Sequence, residues 1–500
     1  MFYSFLFKKE KKMNKEIKAY EYEIQKINNI NLNIEINELE NKIFNFFLSH
    51  NFQNTTFRVA GGWVRDKLLG KNSEDIDITL DNISGQEYIS NLKKENIEFK
   101  EIKNSNLKSS HLQTATIEIF NKTIDIVNLR KEIYHEKNRV PEISLGNPID
   151  DSYRRDITIN CCYYNLNTKQ IEDFTNKGIE DLKNSLIRMP KDASISFNED
   201  PLRMLRVIRF ATRFQFKLDN NIIENINKDF FIKLFCEVLS NERIEKELSL
   251  MIEDLNAYAS VYLLFKFNLI KYCFKFDEGK NEDFIKCVNM MICGNYLDKK
   301  FGDNYNKINR KILNYALLTS PFKIYSRKIK KSNEIGSKII LNQILKIPNN
   351  EVNDIIFIIE NSNTIKALVN ETNQFERLKV GLIFRNIKEK YIKKIIIVSI
   401  CEEFIENNNY FNNIIEKIEE EKFNIVLQKY EIFYKYLIDE HLDKISEIKP
   451  ILNGKDIKKD LNIIDGKLIG SYLSKLIEEQ IKNPNLTKEE AINYLKNINN

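Results

Sequence analysis

Cysteine, histidine, proline and glycine are all scarce in this chain of 500 residues, which contains seven, four, eight and 14 of them. The cysteines are odd in number and include no CxxC pair, which argues against a disulfide scaffold and against a structural zinc site. Such cysteine usage fits a reducing compartment. The histidines are too dispersed to form a metal cluster; they are His50, His111, His135 and His441.

Long hydrophobic runs are also missing. No apolar run reaches the roughly 18 residues that a membrane-spanning helix needs, so no membrane partner is expected. Lysines follow the apolar start MFYSFLF, the reverse of a secretory signal, and the acidic residues after it argue against an ordinary mitochondrial presequence. Met13 offers a second start that would make the preceding residues an optional leader. We expect a cytoplasmic protein, with mitochondrial or other organellar delivery through the N-terminal extension as an alternative.

An excess of charge of one sign is absent as well. The chain has 77 Lys+Arg against 72 Asp+Glu, a net charge of +5, which is weak evidence for a nucleic-acid partner. Hydrophobic residues make up 42% and charged residues 30%, as is ordinary for a soluble globular protein. The length suits about two to four domains with a sizeable core.

The local pattern changes along the chain. Up to about residue 175, short β-branched runs such as FRVAG, DIDITL, TATIEIF and TIDIVNL alternate with helical segments. GWVRDKLLG predicts a helix closed by Gly70. From about residue 200, apolar residues recur at helical spacing with few glycines or prolines to interrupt them. The sequence therefore predicts an α+β fold, with a small mixed β-sheet followed by an all-helical remainder.

Two aspartates lie one residue apart in the predicted strand EDIDIT. Alternate residues of a strand point to the same face, so Asp75 and Asp77 project together while Ile76 and Ile78 point into the core. Two carboxylates this close repel each other unless a cation neutralises them. Mg²⁺, a hard cation that prefers oxygen ligands, is the expected neutralising ion. The alternative is a solvent-facing pair at a strand edge.

Residues around this pair favour a site for a phosphate-bearing ligand. Gly61 and Gly62, between a strand and a helix, let a phosphate approach the backbone and the helix N-terminus. Arg65, in the first turns of that helix, can add positive charge beside a polyphosphate. A tight turn is the alternative explanation for the glycine pair. Asp125, in TIDIVNL, is either a third carboxylate beside the first two or a solvated strand residue.

Five blocks resemble, in order, the motifs of the tRNA nucleotidyltransferases, or CCA-adding enzymes, of the class shared by bacteria and eukaryotes. They are GGWVRDKLLG with EDIDIT, YRRDITIN (153–160), IEDFTNKGIEDLKN (171–184), EDPLRMLRVIRFATRF (199–214) and SNERIEKEL (240–248). SSHLQTATIEIF and IDIVNLRKEIYHEKNRVPEISLGNPIDDSYRRD resemble the fungal-type eukaryotic members most closely. The resemblance is strong over about 55–255 and returns more weakly at 451–495.

The resemblance implies template-independent addition of C, C and A to the 3′ end of tRNA from CTP and ATP, with Mg²⁺ as cofactor. Asp75 and Asp77 would then hold the metal ions, and Asp125 would join them as a catalytic residue. The resemblance also implies that Arg154, Arg155 and Asp156 contact the ribose and phosphates of the nucleotide, with Asp156 accepting from a ribose hydroxyl. A surface ion-pair cluster is the other interpretation of these three residues.

The block EDPLRMLRVIRF predicts a helix with Pro201 in its first turn. Asp200 and Arg203, three residues apart, would be neighbours on one face, and Arg206 and Arg209 would continue that stripe. Three arginines on one stripe repel each other without an anionic partner, and a nucleotide is such a partner. The resemblance implies that Asp200 and Arg203 read the base edge of cytosine and adenine. An ordinary ion-pair stripe is the alternative.

The remaining motifs predict supporting roles. SNERIEKEL is expected to support the site from a helix with Ser240 as N-cap and an Arg243–Glu247 pair at i,i+4 spacing. Gly178 marks either a hinge between head and body or an ordinary turn. Residues 487–490 fit a capping box at a tail helix.

We therefore predict a nucleotidyltransferase head followed by a helical neck, body and tail. The expected boundaries are an N-terminal extension at 1–35, a head at 36–185, a neck with base recognition at 186–260, a body at 261–445 and a tRNA-contacting tail at 446–500. The rival functions are addition of only CC or only A, a poly(A) polymerase of the same class, and a non-catalytic tRNA-binding relative. The complete set of acidic and arginine residues argues against the last.

Overall fold

The computed structural model describes residues 18–25, 27, 30, 32–73, 75–102, 115–134, 141–301, 309–329, 332–371, 374–461 and 466–499. The chain divides into two compact units, a first unit of Glu21–Cys273 and a second unit of Phe274–Asn500 together with Met1–Tyr20. Residues 1–17, in the expected N-terminal extension, lie outside the described part. Within the described part, no helix combines the length and the apolar character needed to span a membrane.

The first unit begins with a mixture of strands and helices, followed by helices alone apart from two short strands. Its first part contains α1 (Glu38–Ser49), β1 (Phe57–Ala60), α2 (Gly62–Leu68), β2 (Asp77–Leu80), α3 (Gly85–Lys94), β3 (Lys100–Glu101), β4 (Ala115–Ile119), β5 (Lys122–Asn128), β6 (Arg130–Ile133), β7 (Glu142–Leu145), α4 (Pro148–Tyr153), β8 (Cys162–Asn165), β9 (Gln170–Asp173) and α5 (Gly178–Lys183). Its second part contains β10 (Leu186–Ile187), α6 (Ala193–Glu199), α7 (Arg203–Phe214), β11 (Lys217–Leu218), α8 (Asn220–Asn225), α9 (Asp229–Val238), α10 (Asn241–Ile252), α11 (Ala257–Lys266) and α12 (Ile270–Phe274).

A seven-stranded sheet in the order β3-β4-β5-β2-β1-β8-β9 organises the first unit. β2 and β5 pair in parallel, whereas the other neighbouring pairs of this sheet are antiparallel, so the sheet is mixed as the sequence predicted. The parallel pair sets Asp77 directly beside Asp125. Residues in register on neighbouring strands share a face, so this pairing brings together two carboxylates that are 48 positions apart in sequence.

Helix α1 covers one face of this sheet through aromatic contacts. Asn37 and Glu40 form a capping box that fixes the start of α1. Phe47 stacks on Tyr88 of α3 with ring centroids 5.6 Å apart. Trp63 of α2 is buried and donates its indole N–H to the carboxylate of Glu40 at 3.0 Å. The bond from Trp63 to Glu40 fixes α2, whose first residue is Gly62, against α1.

Among its described residues, the regular structure of the second unit is helical apart from one hairpin of β12 (Ser326–Ile329) and β13 (Ser332–Ile335). Its longer helices are α13 (Asn281–Phe301), α14 (Arg310–Thr319), α16 (Asn349–Glu371), α17 (Arg377–Phe384), α18 (Glu389–Asn407), α19 (Glu420–Asp439), α20 (Gly454–Leu461), α21 (Gly466–Lys482) and α22 (Lys488–Asn499), and α15 (Gly336–Lys338) is a single turn. The mostly helical remainder confirms the predicted fold class.

The C-terminal helices α20 to α22 have a hydrophobic cluster of their own, built around Ile457, Leu476 and Leu495. The predicted capping box at 487–490 is confirmed: the backbone N–H of Glu490 donates to Thr487 Oγ1, and the Glu490 carboxylate accepts from the Thr487 N–H at 2.8 Å. Arg377 of α17 donates to the backbone carbonyl of Ile481 in α21. Helix α21 therefore also packs against the rest of the second unit.

Candidate active site

An acidic edge, defined here by Asp75, Asp77 and Asp125, lies where β2 begins beside β5. Strand β2 starts at Asp77, so the expectation that both aspartates lie within the strand is wrong for Asp75, which precedes it. The backbone ladder nevertheless begins nearby, because the Asp125 N–H donates to the Ile76 carbonyl at 3.3 Å. Asp125 Oδ1 accepts from the Thr116 hydroxyl at 2.7 Å, which fixes that carboxylate on the sheet.

The electrostatics of the acidic edge favour a bound cation. Burial raises the pKa of Asp77, and the neighbouring charges of Asp125 and Asp75 raise it further, while Arg155 opposes them. Among the described residues, no lysine or arginine comes within 4.0 Å of these three carboxylates. The group is therefore acidic and forms no ion pair among the described residues, with Arg155 as a more distant opposing charge, and its oxygen atoms are the ligands that a hard divalent cation prefers.

Within the described part of the chain, no three Asp, Glu, His or Cys side chains converge closely enough to hold a metal ion by themselves. That arrangement still fits Mg²⁺, which commonly takes one or two carboxylates and completes its shell with water and substrate phosphates. It does not resemble a closed structural metal site, whose ligands all come from the protein.

Gly61 brings the backbone into close contact with an arginine. Its φ of 71° lies in the region that favours glycine, and a Cβ there would lie 2.6 Å from Arg155 Nη1. Arg155 also donates to the backbone carbonyl of Asn160 at 3.0 Å, and its guanidinium lies over the ring of Tyr163. The glycine pair thus positions α2 and leaves room for this guanidinium, a role that the turn interpretation did not include.

Asp151 orients both arginines of the RRD block. Its buried carboxylate accepts from Arg154 Nε at 2.8 Å and from Arg155 Nη2 at 2.9 Å, and the Tyr163 hydroxyl donates to it at 2.7 Å. Burial acts to raise the pKa of Asp151, but the two guanidinium groups and the Tyr163 hydroxyl outweigh it and hold the pKa at about 2. Sequence reasoning missed Asp151, although its i−3 and i−4 spacing from the two arginines on a short helix was a usable signal.

Two predicted nucleotide-contacting residues are committed to protein partners. Arg65 is only 6% exposed; it donates to Asn160 Oδ1 and Asp66, and its guanidinium lies 4.6 Å from the Phe214 ring centroid. Asp156 accepts from the backbone N–H of Ile157, from the Asn160 amide and from Arg206 Nε. These contacts link the head to α7, so both residues are placed to position the site.

The expectation that Asp200 and Arg203 share one helix face is wrong. Asp200 is the C-cap of α6, with φ −148° and ψ 102°, whereas α7 begins at Arg203, so Pro201 also precedes the helix rather than lying in its first turn. The physical reason is in the sequence, because the residue before a proline is driven out of the helical region. Asp200 therefore lies at the end of α6 and Arg203 at the start of α7, with a tight turn between them.

Each member of this pair has its own partner. Arg203 is 5% exposed and donates to Glu199 at 2.8 Å and to the backbone carbonyl of Arg154 at 2.6 Å. Asp200 instead accepts from Arg243, so the predicted Arg243–Glu247 pair is also wrong. The bond to the Arg154 carbonyl ties the α6–α7 turn to the RRD block, whose Arg155 acts electrostatically on Asp77 of the acidic edge.

The expectation that the arginine stripe needs a nucleotide for neutralisation is wrong as well. Glu247 of α10 is buried and accepts from Arg206 at 3.1 Å and from Arg209 at 2.6 Å. Asp156 supplies a second carboxylate to Arg206 at 2.6 Å. Protein carboxylates therefore balance the stripe. The confirmed N-cap Ser240 starts α10, so the fifth block supports the site as expected.

Gly178 serves neither as a hinge nor as an open turn. It is the first residue of α5, and a Cβ on it would lie 2.7 Å from both Cys162 Sγ and the Thr158 carbonyl oxygen. Asp173 fixes the same corner by accepting from the Ile179 N–H at 3.1 Å. Gly178 is required here because α5 packs directly against the end of the sheet.

The chain is similar in sequence to known proteins, both over the head and over most of its length. The sequence model of the family described as "Poly A polymerase head domain" matches residues 57–188. The tRNA nucleotidyltransferase cca1 of Schizosaccharomyces pombe is 30% identical over 92% of this chain and 96% of its own length. The mitochondrial CCA tRNA nucleotidyltransferase of Saccharomyces cerevisiae is 29% identical over 89% of this chain and 88% of its own.

A solved structure extends the likeness to the fold. The Thermotoga maritima CCA-adding enzyme, complexed with tRNA, superposes with a TM-score of 0.63 at 20% identity, over 93% of this chain and 97% of that one. The head model alone covers about a quarter of the chain, but the sequence similarity to the fungal enzymes extends over nearly all of it. The chain therefore belongs to the tRNA nucleotidyltransferase family.

Proposed function

We propose that this chain adds C, C and A to the 3′ end of tRNA from CTP and ATP without a nucleic-acid template. The observation that carries the proposal is the position of the RRD block: its Arg155 acts electrostatically on Asp77 of the acidic edge, and its Arg154 carbonyl accepts from Arg203 in the turn that also bears Asp200. The proposed catalytic and base-selecting residues all lie in the first unit, Glu21–Cys273. Similarity to tRNA nucleotidyltransferases over nearly the whole chain supports the choice of tRNA as substrate.

Enzymes of this family use a divalent metal, and we propose Mg²⁺ held by Asp75 and Asp77, with Asp125 as the third catalytic carboxylate. A bound Mg²⁺ would lower the pKa of the attacking 3′-hydroxyl and neutralise charge on the leaving oxygens. In the reaction the 3′ oxygen bonds to the α-phosphorus, and the bond to the β-phosphate oxygen breaks as pyrophosphate leaves. Because β2 and β5 hold Asp77 and Asp125 side by side, the acidic edge would present these carboxylates to the reacting oxygens in a fixed orientation.

Arginines are the proposed phosphate contacts. Asp151 holds both Arg154 and Arg155, and the Asn160 carbonyl holds Arg155 as well, so both guanidinium groups have fixed orientations. A preorganised guanidinium binds phosphate with little further loss of freedom. The buried Arg65 and Arg209, and Arg206 between its two carboxylates, act by positioning. The full set that we propose for nucleotide binding, by direct contact or by positioning, is Gly61, Gly62, Arg65, Arg154, Arg155, Asp156, Asp200, Arg203, Arg206 and Arg209.

Base choice is proposed to lie at the α6–α7 turn. A carboxylate at Asp200 accepts from the exocyclic amino group that cytosine and adenine carry, and Arg203 donates to the ring nitrogen beside it. Uracil and guanine present a carbonyl at the position of that amino group. Such a pattern explains selection of CTP and ATP by protein side chains alone.

We propose that each expected domain has its own role. The head (36–185) and neck (186–260) carry chemistry and base choice, while the body (261–445) and tail (446–500) bind tRNA. We propose a cytoplasmic and mitochondrial distribution, since one of the similar enzymes is named as mitochondrial. The extension at 1–35 would carry the mitochondrial address.

Incubation of the purified chain with a tRNA transcript lacking CCA, with each nucleoside triphosphate alone and in combination, tests the proposal at one-nucleotide resolution. Addition of two residues with CTP alone, and of a third only when ATP is also present, is the expected result. Arrest after CC with both nucleotides, A addition only to a tRNA ending in CC, or a long A tail would each identify one rival activity. No Mg²⁺-dependent extension at all would favour the non-catalytic relative.

A further inference from the structure

We infer that Arg243 is a positioning residue for base choice, because it holds the carboxylate of Asp200 ready to accept from the amino group of the incoming base. The inference rests on the proposed function. Arg243 belongs to the fifth block, which sequence reasoning treated only as support for the site. The contacts around Asp200 assign it a more specific task.

The geometry leaves one acceptor position open on Asp200. A single nitrogen, Arg243 Nη2, donates to Asp200 Oδ1 at 3.1 Å and to Oδ2 at 2.9 Å. The backbone N–H of Leu202 donates to Oδ1 as well, at 3.1 Å. An ionised carboxylate offers about two acceptor positions on each oxygen. Oδ1 therefore has two donors among the described residues, whereas Oδ2 has one there and keeps an acceptor position for a second.

Arg243 is itself held by the first turn of α10. The Ser240 hydroxyl oxygen accepts from the Arg243 N–H at 3.4 Å, and Ile244, the next residue, is buried. One turn later, Glu247 joins α10 to Arg206 and Arg209 of α7. The helix that carries Arg243 is thus fixed to the helix that follows Asp200, so the guanidinium acts from a defined direction.

The exposure of the Arg243–Asp200 ion pair indicates that the pair positions the Asp200 side chain and adds little to the stability of the fold. The side chains of Arg243 and Asp200 are 46% and 27% exposed, and ion pairs as exposed as this one contribute little to folding. The pair does restrict rotation of the Asp200 side chain and fixes the direction from which its carboxylate can accept a hydrogen bond. An ionised acceptor attracts the amino group of cytosine and repels the carbonyl of uracil at the same position.

The test compares kcat/KM for CTP and UTP on a tRNA lacking CCA. We expect Arg243→Ala to lower the CTP-to-UTP ratio about tenfold, equivalent to about 1.4 kcal/mol, with little change in Tm. Arg243→Lys, which retains one charged nitrogen, should recover part of the ratio. Lys246→Ala is the matched control, because it removes the same charge from an exposed position on the same helix and should leave the ratio unchanged.

A double variant separates action through Asp200 from action on the base itself. If Arg243 acts only through Asp200, Arg243→Ala added to Asp200→Asn should leave the CTP-to-UTP ratio where Asp200→Asn alone puts it. An unchanged ratio in Arg243→Ala, or additive losses in the double variant, would overturn the inference. If the parent chain incorporated no CMP at all, the proposed function itself would fail, and this inference with it.

Discussion

At the scale of single residues, the site depends on partners that lie far apart in sequence. Asp156 pairs with Arg206 across 50 positions, and Glu247 pairs with Arg209 across 38. A local motif identifies the residue types, but the partner is chosen by tertiary packing, of the neck against the head for Asp156 and of α10 against α7 for Glu247. This is why Asp200, Arg206 and Arg209 were predicted as site residues while their protein partners were missed.

Base selection gives the first prediction at this scale. Asp200→Ala should let UTP compete with CTP, with a loss of discrimination of roughly 1–3 kcal/mol by analogy with base-edge contacts elsewhere. Arg203→Ala should lose discrimination and also stability, because the buried Arg203 supports Glu199 and the Arg154 carbonyl. The measurement is kcat/KM for all four nucleotides, with the exposed Asp229→Ala as control. Equal loss for all four would make Asp200 and Arg203 purely structural.

The raised pKa of Asp77 gives a prediction about stability. The folded chain holds this proton to higher pH than the unfolded chain does, so ionisation of Asp77 lowers the free energy of unfolding once the pH exceeds the unfolded pKa. Asp77→Asn should therefore equal or exceed the parent in Tm at pH 7 without metal. The parent should gain Tm on addition of Mg²⁺, and the variant should gain less.

Glu118→Gln, which removes a half-exposed carboxylate from β4, is the control for that comparison. It should respond to Mg²⁺ as the parent does. If, without metal, Asp77→Asn has a clearly lower Tm than the parent, the Asp77 carboxylate is required for the fold. The interpretation of Asp77 as an uncompensated charge that binds a cation would then be wrong.

At the scale of elements, the α6–α7 turn shows how a boundary changes a site. Asp200 leaves the helical region because Pro201 follows it, and this frees its carboxylate to face α10 instead of its i+3 neighbour. The sequence contained that signal. The role of α10 could not be predicted the same way, because its Arg243 and Glu247 fit an ordinary i,i+4 pair equally well.

The buried pair between α10 and α7 gives a prediction about stability. Glu247→Ala removes the carboxylate that balances the buried Arg209, and loss of one partner of a buried ion pair typically costs about 3–5 kcal/mol. Denaturant unfolding of the first unit should register that loss. Glu245→Ala, on the same helix at a half-exposed position, should cost far less. Equal losses in the two variants would mean that the pair adds nothing beyond helix packing.

At the scale of the whole molecule, the sequence predicted a mixed-sheet head followed by helices, because strand alternation and helical periodicity are local signals. It did not predict the hairpin of β12 and β13 or the seven-stranded order of the sheet. The strand order depends on pairing between distant segments, as between β1 and β8, whereas the hairpin is a local pairing whose short strands, SRKI and SNEI, carry little of the β-branched pattern. The five blocks predicted the head through their resemblance to a known family. In the middle of the chain, the only signal was the helical spacing of apolar residues.

The proposed tRNA contact of the tail gives a prediction at this scale. Lys455, Lys458 and Lys459 are exposed on α20, at spacings that put them on one side of the helix. Changing all three to glutamine should weaken tRNA binding and reduce its salt dependence by roughly one unit of slope per lost phosphate contact. KM for CTP should stay unchanged. The same three positions changed to arginine keep the charge and should keep the affinity.

This substitution is a cleaner test than removal of the tail, because α21 packs on α17, where Ile481 lies against Gly381 and its carbonyl accepts from Arg377, and removal of the tail would break these contacts. An unchanged affinity and salt slope in the glutamine variant would exclude α20 as a tRNA contact.

The central claim is that the acidic edge performs nucleotidyl transfer. The most direct measurement is Mg²⁺-dependent incorporation of labelled CMP into a tRNA lacking CCA by the parent, Asp77→Asn and Glu118→Gln, with tRNA binding measured in parallel. The account predicts near-complete loss of incorporation in Asp77→Asn with tRNA affinity retained, and parent-like turnover in Glu118→Gln. Near-normal turnover by Asp77→Asn at the same Mg²⁺ concentration would contradict it.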